Sequence, residues 1–191
     1  MKVINRLDDI FKGDIHIVPR FFDDKTYVSI INKIKKLKLK SSFQPHGARY
    51  GNRMQGMPCY ESDFSFKKEF IIDKIENILG IKISYYHCLY RKIKTKELKQ
   101  SQCTGQYGFT HTDGEKGQID LAAIMHFDQS YDGGTAFFEN SWDKKPDIYV
   151  SAYPNRLVLY NANRFHAPAF DHSYLERHSL AFFFKVKNET R

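Results

Sequence analysis

From residue 81 onward the chain is a succession of short segments rich in β-branched and aromatic residues. IKISYYHCLYRKI is followed by QYGFTHTD, IDLAAIMHFD, GGTAFFEN, DIYVSAY, RLVLYN and HSLAFFFKV. Turn signals such as YDGG, YPN and DHS separate them. Strands this short and this closely spaced cannot each bury a face alone, so the pattern predicts two antiparallel sheets packed together as a jelly roll. Ahead of them the pattern is different. DIHIVPRFF reads as a strand ending at Pro19, and Asp23 or Asp24 offers an N-cap for a helix carrying Tyr27, Ile30, Ile31, Ile34 and Leu37 on one stripe. A second helix spans about 67–79, with Phe70, Ile71, Ile75 and Leu79 on one side and Gly80 as its stop. The fold class expected is therefore α+β, mainly β, with N-terminal helices supporting a jelly-roll core.

With 191 residues and no repeat, linker or low-complexity stretch, the chain reads as one domain over 1–191: helical support and a loop over about 1–80, then the core over about 81–191. Between Ser41 and Ser65 no period is sustained, and a stretch of that length reads as a functional loop. The longest apolar runs, such as Leu180 to Phe184, are five residues, far short of a membrane span. The N-terminus has no apolar signal region. Three scattered cysteines (Cys59, Cys88 and Cys103) without a CxxC pair point to a reducing compartment, and the expectation is a cytoplasmic protein. Residues 1–100 carry 21 Lys+Arg against 11 Asp+Glu, whereas 101–191 carry 9 against 11. That excess admits an anionic partner, but the lysines of Lys33 to Lys40 alternate with apolar residues at helical spacing, as on an ordinary solvated helix.

The chemistry-bearing residues fall between Gln106 and Phe184. His111 and Asp113 stand two apart, which on a strand places both on one face. His166 follows 53 residues after Asp113, beyond several strands. Two imidazoles and one carboxylate on one side of a metal leave the opposite positions open, the ligand set of non-haem Fe(II) oxygenases. Arg177 comes 11 residues after His166 at the start of a strongly apolar strand, and Ser179 shares its face. A guanidinium fork beside a hydroxyl suits a buried carboxylate; the competing reading is a surface ion pair with Glu176 or Asp171.

These residues resemble the Fe(II)/2-oxoglutarate-dependent dioxygenase superfamily, and within it the prolyl-4-hydroxylase-like branch. His111, Asp113 and His166 match its HxD…H triad, and RHS at Arg177 to Ser179 matches the R-x-S form of its carboxylate site. YDGGTAFFE resembles its GGxxxF turn, PNRLVLYNANRFHAP the strand and turn that deliver the distal histidine, and IHIVPRFFDDKTYVSII its opening strand and helix. The resemblance implies a double-stranded β-helix holding Fe(II) on His111, Asp113 and His166. It implies 2-oxoglutarate held at its far carboxylate by Arg177 and Ser179, and dioxygen as second co-substrate. It further implies hydroxylation of an amino-acid, peptide or protein side chain with release of succinate and CO2. The carboxylate of Asp113 argues against a halogenase, which has a small residue there.

Secondary candidates follow from position. Tyr107 either hydrogen-bonds the 2-oxoglutarate carboxylate or packs in the core, and Phe109 reads as core. His126 reads as a satisfied core histidine, Asn161 and Asn163 as turn residues, and His172 and His178 as turn and surface. His46, Arg49 and Arg53 lie in the unusual loop, where they are placed to meet substrate. Other classes fit less well. A non-catalytic jelly roll has no need of an intact triad, and a metalloenzyme without 2-oxoglutarate leaves Arg177 unexplained. A nucleic-acid demethylase calls for a basic-aromatic track that RYGNRM alone does not make. The alternatives are the same chemistry on a small metabolite or a nucleic acid, and a non-catalytic metal-binding jelly roll.

Overall fold

The computed structural model describes residues 6–41, 58–98, 107–114, 118–128 and 131–187. Helix α1 spans Arg6–Phe11 and strand β1 His16–Val18. Helix α2 (Asp24–Ile34) begins where Asp23 accepts the Thr26 amide at 2.8 Å. Helix α3 (Lys68–Leu79) ends at Gly80, whose φ of +67° suits a residue without Cβ. Strands β2 (Lys40–Ser41), β3 (Cys59–Asp63), β4 (Ile83–Ile93), β5 (Leu121–His126), β8 (Leu157–Asn161) and β10 (Arg177–Val186) join β1 in a seven-stranded sheet. Its order is β1-β8-β5-β10-β4-β3-β2. Strands β6 (Gly134–Phe138), β7 (Ile148–Ser151) and β9 (Phe165–Ala169) form a second sheet in the order β7-β6-β9. All the ladders are antiparallel. This is the mainly β, two-sheeted architecture the segment pattern predicts.

The strand period of two sorts the core into two layers. On β10, Leu180, Phe182 and Phe184 join Ile30, Ile71 and Ile75 of the helices, so this face of the large sheet is covered by helix. Ala181 and Phe183 point the other way and meet Ala122, Val158 and Tyr160 of the large sheet and Phe137 and Val150 of the small one. Gly134 lets the small sheet close up, because a Cβ there would lie 2.2 Å from the Val150 carbonyl oxygen.

Three local expectations need correction. Helix α2 stops at Ile34, and its last amides turn back in short i→i+3 bonds from Lys36 and Leu37. Beyond it the period changes to two: Leu37 and Leu39 pack on the helical core while Lys36, Lys38 and Lys40 are exposed. The stretch Ser41 to Ser65 is not wholly irregular, since Cys59–Asp63 is a strand paired with β4. His46, Arg49 and Arg53 lie outside the described residues. Strand β9 accommodates Pro168 because the polar groups of that residue face away from β6, its carbonyl taking the Gly108 amide at 2.7 Å, so the missing N–H removes no bond of the β6–β9 ladder. Finally, His178 is no surface residue: it is half-buried on β10, 2.5 Å from the Tyr90 hydroxyl.

The helices are tied to the sheet by Asn155, which is buried in the turn before β8. Its Oδ1 accepts the Phe22 amide and its Nδ2 donates to the Phe22 carbonyl, both at 2.8 Å. Its φ of +58° is one that asparagine tolerates better than most residues. Replacing Asn155 with Ala strands two buried backbone groups and is expected to lower stability by about 2 kcal/mol. Urea unfolding measures this directly, and an unchanged midpoint would refute the tether.

Candidate metal centre

The segment 107–114 is not the regular strand its alternation predicts. Tyr107 and His111 form isolated bridges to Ala169 and His166, and no ladder runs between them. The bridge at His111 is complete, since His111 and His166 exchange both backbone hydrogen bonds at 2.9 Å. It brings the two imidazole centroids to 4.3 Å. Two residues on, the Asp113 amide donates to the Ala162 carbonyl at 3.0 Å, which turns the carboxylate toward the same point. One ligand atom from each of His111, Asp113 and His166 then lies within 4.8 Å of the others. Asp113 Oδ2 is 3.3 Å from His166 Nε2, and Oδ1 is 3.7 Å from His111 Nε2.

Hydrogen bonding on the far side of each ring fixes the tautomers. His166 Nδ1 lies 3.0 Å from the Arg164 carbonyl oxygen and His111 Nδ1 lies 3.3 Å from that of Phe109. A carbonyl only accepts, so each Nδ1 carries a hydrogen and each Nε2 is the ring atom that faces the centre. Burial, reinforced by the neighbouring His166, pulls His111 down to about 3, which keeps it neutral. For Asp113, burial alone would raise the pKa. The histidines and the Tyr160 hydroxyl outweigh it and hold the carboxyl well below its usual range. Two imidazoles and one carboxylate gathered in a buried pocket form a donor set that fits a divalent cation, which binds through Nε2 atoms that carry no proton.

The triad opens on a cavity between the sheets. Apolar walls come from Phe109, Ile124, Pro168, Ala181 and Phe183, and polar ones from Arg177, Thr135 and the Arg91–Glu61 pair. Arg177 is 3% exposed. Its Nη1 reaches Ser179 Oγ at 3.4 Å, and its Nε has no hydrogen-bond partner. The surface ion pairs that would have explained this arginine do not form. Glu176 is engaged by Lys92 and His178, and Asp171 caps Ser173 and the Asp132 amide. Among the described residues no carboxylate pairs with Arg177, whereas Arg91 Nε holds Glu61 at 2.6 Å.

Tyr107 does not join them. It packs edge-on against Phe138, beside Ala136 and Ala167, on the side of β6 and β9 away from the cavity. Phe109 does reach the cavity, against His111. His126 is buried as expected but is not satisfied. Among the described residues neither ring nitrogen has a partner, and it faces Tyr131 at 6.5 Å on the strand beside Ser179. Asn161 Oδ1 accepts the Asn163 amide at 2.9 Å, making the turn that leads into β9, and His172 is exposed. Four cavity residues escaped the sequence: Thr135, Tyr160, and Arg91 with Glu61. The last two share a face only because β3 pairs with β4, in a stretch whose pattern shows no period.

No family model and no curated protein sequence matches this chain. Its fold is nonetheless similar to solved structures. A Pseudomonas putida prolyl-4-hydroxylase superposes with a TM-score of 0.61 at 12% identity, over 95% of this chain and 97% of that one. HygX from Streptomyces hygroscopicus, solved with nickel, 2-oxoglutarate and hygromycin B, gives 0.61 at 10% identity, over 95% and 87%. A prolyl hydroxylase from Trichoplax adhaerens, in complex with a peptide fragment of hypoxia inducible factor, gives 0.58 at 11% identity, over 93% and 86%. Identities this low establish a shared fold.

A cation held by this triad stabilises the folded state by mass action, about 2.7 kcal/mol at a hundredfold excess over Kd. Adding Ni(II) or Co(II) should therefore raise the melting temperature of the wild type and leave a His166→Ala variant unmoved. An equal rise in both would place the ion elsewhere.

Proposed function

We propose that this chain is an Fe(II)- and 2-oxoglutarate-dependent dioxygenase that hydroxylates a C–H bond of an amino-acid, peptide or protein side chain, releasing succinate and CO2. The observation that carries the reading is the pairing, in one cavity, of the His111–Asp113–His166 cluster with a buried arginine that has no acidic partner among the described residues. Iron bound there would supply dioxygen activation and the oxidative decarboxylation of the co-substrate. The rest falls to the protein. His111, Asp113 and His166 hold the metal through atoms already aimed at one point. Arg177 takes the distal carboxylate of 2-oxoglutarate as a charge-assisted fork, with the Ser179 hydroxyl beside it and the unpartnered Thr135 hydroxyl in the same cavity. Ile124, Ala181 and Phe183 line the apolar wall and keep bulk water from the reacting atoms.

The substrate class rests on the fold neighbours, two of which are prolyl hydroxylases; HygX, solved with hygromycin B, supports the alternative of a small metabolite. We place the protein in a reducing, cytoplasmic compartment on the scatter of its three cysteines without a CxxC pair. No helix among the described residues is long and apolar enough to cross a membrane.

Anaerobic addition of Fe(II) and then 2-oxoglutarate should produce the weak visible metal-to-ligand charge-transfer band of the chelate. Arg177→Gln should demand at least tenfold more 2-oxoglutarate for the same absorbance, as loss of a buried ionic hydrogen bond costs about 2 kcal/mol. No band from folded, iron-loaded protein would end the proposal. His111→Ala should remove iron-dependent succinate formation, and retained turnover would displace His111 from the ligand set.

A further inference from the structure

One buried polar group against the triad is used neither as a ligand nor for the co-substrate. Tyr160 lies on β8, where the alternation of LVLYN turns Val158 and Tyr160 toward the space between the sheets. It is 3% exposed, and its ring is clamped edge-on by Phe137 at 5.0 Å and tilted against His166 at 4.8 Å. So held, the hydroxyl donates to Asp113 Oδ2 at 2.7 Å and sits 3.3 Å from His166 Nε2. A phenol hydroxyl has one hydrogen to give. That hydrogen goes to Oδ2. The other carboxylate oxygen, Oδ1, lies 3.7 Å from His111 Nε2 while Oδ2 lies 3.3 Å from His166 Nε2, so it is the bond from Tyr160 that sets the two oxygens apart.

We propose that Tyr160 is a positioning residue of the metal centre: by holding Asp113 Oδ2 it presents Oδ1 as the single metal-binding oxygen and fixes the carboxylate plane against the two Nε2 atoms. A carboxylate free to rotate takes a divalent ion through either oxygen or both, and binding through both would use one of the positions that the open side of the centre needs. Supports of this kind around metal ligands are typically worth ten- to a hundredfold in affinity. The inference rests on the reading of His111, Asp113 and His166 as metal ligands.

Co(II) titration followed by absorption tests it. Tyr160→Phe keeps the ring and its contacts with Phe137 and His166, so circular dichroism should match the wild type. Its Kd for Co(II) should rise about tenfold or more. At saturation its d–d bands should shift in position and intensity, because Asp113 changes from one donor oxygen to two. A purely structural role for Tyr160 leaves the saturated spectrum untouched. Wild-type affinity together with a wild-type spectrum in Tyr160→Phe overturns the role of Tyr160 alone. A wild-type protein that takes up no Co(II) overturns the ligand reading beneath it.

Discussion

The arrangement depends on one cross-strand bridge, the pair of backbone hydrogen bonds that His111 and His166 exchange at 2.9 Å. Without it nothing would hold two imidazoles 4.3 Å apart with a carboxylate beside them, since electron-pair donors crowded out of water repel one another. The cost is carried by the backbone around the site. The Ala162 carbonyl fixes Asp113, the Arg164 and Phe109 carbonyls fix the ring tautomers, and the Tyr160 hydroxyl shares the charge on the carboxylate. Each support is a hydrogen bond that fixes the orientation of one ligand, so the three ligand atoms converge.

Strand β10 links this site to the stability of the molecule. Its even positions, Leu180, Phe182 and Phe184, are core shared with the helices, and its odd positions run from Arg177 and Ser179 to Ala181 and Phe183 along the cavity side. A one-residue slip in register would exchange the two sets, burying Arg177 under helix and turning three large apolar side chains into the cavity. Pairing on both edges, to β4 over ten positions and β5 over six, makes such a slip very costly. The buried arginine is thus positioned by the same contacts that build the hydrophobic core.

This division explains what could be read from the sequence. Strands β1, β4, β5, β8 and β10 of the large sheet, the N-cap of α2, the glycine stop of α3 and the two-layer core follow from local pattern and turn chemistry, which the tertiary structure leaves intact. The triad and Arg177 were legible because their residue types are rare in such surroundings. Tyr107 misled because the alternation Tyr107, Phe109, His111 assumes a continuous strand. The segment is pinned at isolated bridges instead, and between them the chain turns Tyr107 to the outer side. Tyr160 and Thr135 were hidden for the opposite reason: on their strands they look like ordinary core residues, and only the neighbours across the cavity give their hydroxyls a purpose. His126 appeared satisfied because buried histidines usually are, and no local signal marks one that is not.

The cavity is lined by two arginines, and the strand registers treat them differently. Arg91 lies opposite Glu61 on β3 and opposite Ser179 on β10, so its charge is met by a carboxylate one strand away. Arg177 lies opposite Ile93, its neighbour on β4, and the next inward position across β10 is His126, which burial and Arg177 itself keep far below its usual pKa and hence uncharged. Two guanidiniums on one sheet face therefore contribute a single net positive charge, and it sits at the Arg177 end. The triad contributes the one negative charge of Asp113. A ligand that bears a carboxylate at one end and metal-binding oxygens at the other is drawn to lie between these two poles, and the apolar wall of Ile124, Ala181 and Phe183 gives its uncharged middle a surface to rest on.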